Sequence, residues 1–310
     1  SPTLTTPPPS DIDKPMETHA PHPASAGLRA EAGPLRPEAV ELAHSLRLVV
    51  CDMDGTLLDE DSRIPDDFWP LLDAMRERGI AFIPASGRQY ATLAAMFSQE
   101  LAGMPIIAEN GSFVVQDGRE VRSSTLAKSV VADIVDRSRS LDRKELGVVV
   151  CGKRSAHVES TDLRFLENVE KYYVVNQVVD DLTAVDDDVL KVELFDARDA
   201  KKFALPLVQD FADSHDVVVS GENWADVMAK GTNKGAALRA LQRSLGISPA
   251  QTAAFGDYLN DYEMIAEAEL SFAMANGHPD LLAAARFTAP SNAEHGVPTT
   301  LKALLNSDAA

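Results

Sequence analysis

The chain has 310 residues, 45% of them hydrophobic, and its 48 acidic against 29 basic side chains leave a formal net charge of -19. That length exceeds what one core usually organises, so two domains are expected. The charge opposes close approach to nucleic acid or to an anionic membrane, and the richest basic stretch, Arg137 to Lys144, is interleaved with Ser and Asp like a solvated helix face.

Residues 1–43 hold nine of the 18 prolines and few large apolar side chains. Such a segment buries too little surface to offset its ordering entropy and is expected to be a disordered tail, with a proline-recognition ligand as the alternative. No apolar run reaches the roughly 18 to 20 residues that span a bilayer. The first residues lack the charged start and apolar centre of a secretory signal. Cys51 and Cys151 form neither a disulfide framework nor a metal-ligand spacing, and neither begins a C-x5-R loop; a reducing, cytoplasmic setting is expected.

The segment 46–58, LRLVVCDMDGTLL, is the most informative. Leu46 to Cys51 shows no polar alternation after Arg47, as in a strand covered on both faces of a parallel sheet. It delivers Asp52 and Asp54 to a turn at Gly55, at the carboxyl end of a strand where open α/β sheets bind ligands. A chance pair of acids on a solvated surface would not be bracketed by this apolar run and by Gly-Thr-Leu-Leu.

Pro65 is expected to open a helix with Phe68, Leu71, Leu72 and Met75 on one face and Gly79 as its stop. A strand, Ile80 to Ala85, then ends at Ser86-Gly87-Arg88. A helix carrying Leu93, Met96 and Phe97 follows, and another strand, Pro105 to Ala108, ends at Glu109-Asn110-Gly111. This alternation is that of a doubly wound sheet. From about 119 to 226 short strands (148–151, 190–195) and helices (163–171, 200–214) suggest an inserted α+β unit. Thr232 then begins a helix with Leu238, Leu241 and Leu245 that Gly246 ends, and the strand Thr252 to Phe255 runs into Gly256-Asp257-Tyr258-Leu259-Asn260-Asp261. The expected fold is thus α/β: a doubly wound parallel, Rossmann-like core from residues 44–118 and 227–310, with an α+β domain inserted over 119–226.

Four separated segments, Asp52-Met53-Asp54-Gly55-Thr56, Ser86-Gly87-Arg88, Lys234-Gly235 and Gly256-Asp257-x-x-Asn260-Asp261, occur in the order found in the haloacid dehalogenase superfamily. Over residues 46–306 the chain resembles its Cof-type phosphatase branch, the insertion corresponding to that branch's cap. The resemblance implies that Asp52 attacks phosphorus to form an aspartyl-phosphate and that Asp54 protonates the leaving oxygen and later activates water. It implies that the Ser86 hydroxyl and the Gly87 N–H hold phosphate oxygens. Lys234 would steady the nucleophile and the transferring phosphoryl group.

If Asp52, Asp54, Asp257 and Asp261 converge, like charges about 4 Å apart repel by about 4 kcal/mol per pair at an effective dielectric near 20. A phosphate dianion adds to this, so a hard divalent cation, Mg2+, is expected. The resemblance assigns Asp52, the Asp54 backbone carbonyl and Asp257 as its ligands, supported by Asn260 and Asp261. Ala273-Met274-Ala275-Asn276, Ser291-Asn292 and Gly296-Val297 are expected to shape the surrounding loops. Tyr258, Ala275 and Met53 depart from the branch's usual residues without removing a catalytic group. The implied partner is a small phosphorylated metabolite, a sugar phosphate or phosphorylated cofactor, rather than nucleic acid or membrane. A phosphomutase would use the same residues. A receiver-like module switched by aspartate phosphorylation is a rival that Asp54, the fourth segment and the insertion all count against.

Overall fold

The structure, a computed structural model, describes residues 35–141, 145–159 and 161–307. In chain order the strands are β1 (Leu48–Asp52), β2 (Ala81–Ala85), β3 (Ile106–Ala108), β4 (Phe113–Gln116) and β5 (Arg119–Ser123), then β6 (Leu146–Gly152), β7 (Ala156–Val158), β8 (Asn176–Val178), β9 (Val189–Asp196), β10 (His215–Gly221) and β11 (Trp224–Ala229), and finally β12 (Thr252–Gly256), β13 (Leu270–Met274) and β14 (Phe287–Ala289). Among the described residues they form an eight-stranded sheet in the order β14-β13-β12-β1-β2-β3-β4-β5 and a six-stranded sheet in the order β10-β11-β9-β6-β7-β8.

The larger sheet is parallel from β14 through β3, and β1 lies between β12 and β2. All five residues of β1 are buried, because successive side chains serve opposite faces. Val49 and Cys51 pack with Phe68, Phe82, Phe255 and Leu304, while Leu48 and Val50 pack with Ile83, Leu238, Leu241 and Ala254. At about 1.5 to 3 kcal/mol for each large apolar side chain withdrawn from water, these layers hold the strand rigidly from both sides. The doubly wound fold read from the apolar runs is therefore present.

Two compact units result. The described part of the larger comprises residues 35–125, 170–175 and 231–307; that of the smaller, built on the six-stranded sheet, comprises 126–141, 145–159, 161–169 and 176–230. Residues 119–123, expected to open the insertion, instead form β5. It pairs antiparallel with β4 and extends the larger sheet through a turn in which Asp117 and Gly118 have φ of 52° and 72°. In the smaller unit, Val192 and Leu194 of β9 and Val227 of β11 pack with Val131, Ile134 and Leu205. The single helix expected over 200–214 is broken into Ala200–Phe203, Leu205–Val208 and a 3-10 turn, Gln209–Asp213. Pro206 at the start of the second piece cannot donate the hydrogen bond a continuous helix requires.

The tail expected over 1–43 lies outside the described residues as far as residue 34. Its last part is structured: Pro37–Ala43 is a helix with proline in its first turn, and Ala39 and Ala43, four apart, are buried in the larger core. Small alanines supply this apolar face, which a count of large side chains overlooks. The helix expected from Pro65 begins at Phe68, with Phe68 N–H donating to the Pro65 carbonyl. The helix placed at Thr232 begins at Lys234, capped by Asn233, whose Oδ1 accepts from Ala236 N at 2.7 Å. Gly246 ends it with φ 66°, while Leu245, expected on the apolar face, is exposed.

Gly235 permits this helix to touch its neighbour Tyr262–Ala266: a Cβ there would lie 2.5 Å from the Glu263 carbonyl carbon. Gly235→Ala is expected to destabilise the fold by about 1 to 3 kcal/mol despite alanine's better helix propensity. Urea denaturation checks this, and an unchanged midpoint would mean that the two helices can move apart.

Candidate active site

Cross-strand register assembles the site. Asp52 stands opposite Ala85, so Ser86 follows directly at the end of β2; on the other side Cys51 stands opposite Phe255, and Gly256-Asp257 follow at the end of β12. Three adjacent parallel strands thus bring the first, second and fourth segments to one edge. Lys234 enters from the first turn of its helix.

The Lys234 Nζ donates to Asp52 Oδ1 at 2.8 Å and to Asp261 Oδ1 at 2.7 Å, with only 1% of the lysine side chain exposed. Asp261 Oδ2 accepts from the backbone N–H groups of Asp257 and Tyr258 at 3.0 and 3.3 Å. Both Asp261 oxygens are therefore engaged by the protein, which suits a supporting position. Thr56 Oγ1 lies 3.1 Å from both Asp52 Oδ2 and Asp257 Oδ1. A hydroxyl has one hydrogen, so it can donate to only one of them at a time.

Asp52, Asp257 and Asp261 are all buried, and each offers an oxygen within 4.8 Å of the others. Burial is the main cause that pushes Asp52 up to about 7; Lys234 opposes the rise and Asp257 reinforces it. Burial likewise pushes Asp261 up, reinforced by Asp52 and opposed by Lys234, and it raises Asp257. Burial disfavours the charge on Lys234, but Asp261 and Asp52 together outweigh it and the ammonium is held above its ordinary range. One buried cation against three carboxylates leaves the cluster short of positive charge. A hard divalent ion bound through Asp52 and Asp257 would supply it, and the all-oxygen donor set fits Mg2+.

The loop after β1 is shaped for this approach. Gly55 has φ 75°, and a Cβ on it would run into the Asp257 carboxylate. Asn276 Nδ2 donates to the Gly55 carbonyl at 2.9 Å, Asn292 Nδ2 donates to the Leu58 carbonyl at 2.9 Å, and Asn276 Oδ1 accepts from Asn292 N at 3.2 Å. The two asparagines expected to shape the loops thus hold the backbone around Asp54.

Other expected residues fall differently. The Asp54 carboxylate does not join the other three: it accepts from Arg88 Nε at 2.8 Å and from Arg88 Nη2 at 2.6 Å. Ser86 is buried, its Oγ accepting from Arg88 N at 3.0 Å. Gly87 sits where a Cβ would press on the Asn110 side chain at 3.2 Å. Asn260, expected to support the metal ligands, donates from Nδ2 to Asn110 Oδ1 at 3.2 Å, and Asn110 holds a positive φ of 55°. Thr56, Arg88 and Asn110 lie within the expected segments and turns, but their contacts with Asp52 and Asp257, with Asp54 and with Asn260 are not legible in the sequence. Tyr258 meets His278 edge to face at 5.7 Å, and burial, with Asp257, pushes its hydroxyl up to about 12.

A family model described as haloacid dehalogenase-like hydrolase matches residues 49–301. The chain is 33% identical over 272 residues to the 5-amino-6-(5-phospho-D-ribitylamino)uracil phosphatase YbjI of Escherichia coli (strain K12), covering 86% of this chain and 98% of that protein. It is 28% identical over 246 residues to the HMP-PP phosphatase of Cronobacter sakazakii, covering 76% and 87% respectively. A solved structure from Streptococcus mutans UA159 shares the fold with a TM-score of 0.77 at 24% identity, covering 84% of this chain and 99% of its own. Among the described residues no helix is long and apolar enough to cross a membrane.

Proposed function

We propose, from the premise that this chain belongs to the haloacid dehalogenase-like hydrolase family and is a phosphoric monoester hydrolase, that it cleaves small phosphate monoesters through a phosphorylated Asp52. The observation that carries this reading is the Asp52 carboxylate at the end of β1, held at 2.8 Å by the buried Lys234 and facing Asp257 and Asp261. A carboxylate so placed is oriented for attack, and the covalent step divides one hard substitution into two easier ones.

In the first half-reaction an Asp52 oxygen forms a bond to phosphorus as the bond to the leaving oxygen breaks, and the Asp54 carboxyl group gives that oxygen its proton. In the second, water attacks the same phosphorus, Asp54 takes the water's proton, and the bond to Asp52 breaks to release inorganic phosphate. Ser86 accepts from Arg88 N with its oxygen, so its hydroxyl hydrogen can be offered to the phosphoryl group together with the Gly87 N–H. Lys234 faces the negative charge that develops on the transferring group. Mg2+ held by Asp52, the Asp54 carbonyl and Asp257, with Asn260 and Asp261 in support, would neutralise substrate phosphate in this acidic site.

Sugar phosphates and phosphorylated cofactors are the proposed substrate class. The likeness to a ribitylaminouracil phosphatase puts a phosphorylated polyol on a heterocycle first among them. A cytoplasmic setting goes with it, in keeping with Cys51 and Cys151, both buried thiols. The test is inorganic phosphate release from a panel of sugar phosphates, nucleotides and phosphorylated cofactors, with and without Mg2+. Mg2+-dependent release of free phosphate is expected. Conversion of a sugar phosphate to its isomer without release would favour the phosphomutase, and a stable phosphoprotein without turnover the signalling module.

A further inference from the structure

Arg88 carries a permanent charge, yet only 7% of its side chain is exposed. Its fork binds both oxygens of Asp54, and its guanidinium carbon lies 5.1 Å from the centre of the Tyr172 ring. Nη1 also approaches the Lys171 carbonyl at 3.4 Å. Residues 170–175 fall within the sequence insertion but pack as part of the larger unit, where the turn after Arg88 grips them. Gln89 Nε2 donates to the Val175 carbonyl at 2.9 Å and Gln89 Oε1 accepts from Val175 N at 3.0 Å. Thr92 Oγ1 donates to the Tyr172 carbonyl at 2.9 Å and accepts from Val174 N at 3.2 Å.

We propose that Arg88 is a positioning residue that orients Asp54 for proton transfer and makes this orientation depend on the seating of residues 171–175; the inference rests on the phosphatase reading above. Asp54 needs such help: its side chain is 46% exposed, and among the described residues it is Arg88 that fixes both its oxygens. A bidentate guanidinium sets the plane as well as the place of a carboxylate, which a lysine cannot. The guanidinium in turn is walled by the Tyr172 ring and by the Lys171 carbonyl. Without residues 171–175 in this position the guanidinium loses that wall, and the fork is free to carry Asp54 away from the leaving oxygen. Displacing a reacting group by about 1 Å costs on the order of a hundredfold in rate.

The test separates orientation of the acid from general damage. In first-turnover rapid-quench experiments on the full chain, two esters are compared: the best alkyl phosphate of the panel, whose leaving oxygen needs a proton, and p-nitrophenyl phosphate, whose leaving group departs without one. For Arg88→Lys the alkyl ester is expected to react about a hundredfold more slowly, with the nitrophenyl ester changed by less than about threefold. Tyr172→Leu, which does not touch Asp54, is expected to shift the same ratio in the same direction by about tenfold. Equal slowing of both esters, or a Tyr172→Leu variant with the parent's ratio, overturns the inference while leaving the phosphatase reading intact. A parent that turns over neither ester overturns the reading and the inference with it. Should Arg88→Lys fail to fold, the Tyr172→Leu ratio alone decides.

Discussion

Asp52→Asn will lose turnover by at least about four orders of magnitude while the protein stays folded. Removing a nucleophile that works as a unit with its neighbours costs rates of this order or more. The amide keeps the shape of the carboxylate and can still accept from Lys234 through its oxygen, so the 2.8 Å contact has a substitute. It also removes one of three buried negative charges that stand within 4.8 Å of one another. Thermal unfolding without metal should therefore show a midpoint equal to or above that of the parent, although activity is gone. A variant that kept a tenth of the parent's turnover would exclude Asp52 as the nucleophile.

Lys234→Met is the second large effect, and it falls on stability and activity together. Methionine fills nearly the same volume, so packing is kept and only the charge is lost. That charge is the partner of Asp52 at 2.8 Å and of Asp261 at 2.7 Å. Breaking a buried ion pair from one side costs about 3 to 5 kcal/mol, because the carboxylates left behind stay out of water. The loss should depend on pH with a definite sign. Burial raises the folded-state values of Asp52 and Asp261 to about 7 from an ordinary 3.8, so the folded state binds these protons more tightly than the unfolded. Their favourable contribution is complete below the unfolded value and is lost as pH rises through about 7. With Lys234 gone the folded values rise further, and the penalty should be larger at pH 8 than at pH 5.5. Added Mg2+ should restore part of the stability at the higher pH, since a ligand that binds only the folded state stabilises it by mass action. Urea midpoints at the two pH values, with and without Mg2+, measure all of this; a loss independent of both would show that packing rather than charge is at stake.

The residues that announce themselves in the sequence are those whose partners lie along the same strand or turn. β1 is legible because six largely apolar residues precede Asp52, and the helix at Lys234 because Gly246 ends it. What is not legible is side-chain reach. Arg88 follows Ser86-Gly87 as an ordinary basic residue, and nothing local reveals that its fork closes on Asp54, 34 positions earlier. Asn110 is equally silent: its left-handed backbone and its contact with Asn260, 150 residues on, exist only once β3 and β12 are in place. The hairpin joining β4 to β5 did carry a local signal, Asp117-Gly118, of the kind that favours positive φ in tight turns. It places the end of the larger sheet beyond residue 118. The helix at Pro37–Ala43 is hidden for the opposite reason, since its buried face is made of alanines within a proline-rich stretch.

The most direct measurement of the central claim is to quench the parent during turnover of its best substrate in Mg2+ and locate the phosphoryl group by mass spectrometry of acid-stable peptides. The account predicts one phosphoryl group on Asp52, absent from Asp52→Asn and discharged to inorganic phosphate when turnover is allowed to finish. Turnover with no phosphorylated Asp52, or with the group on another residue, would contradict it.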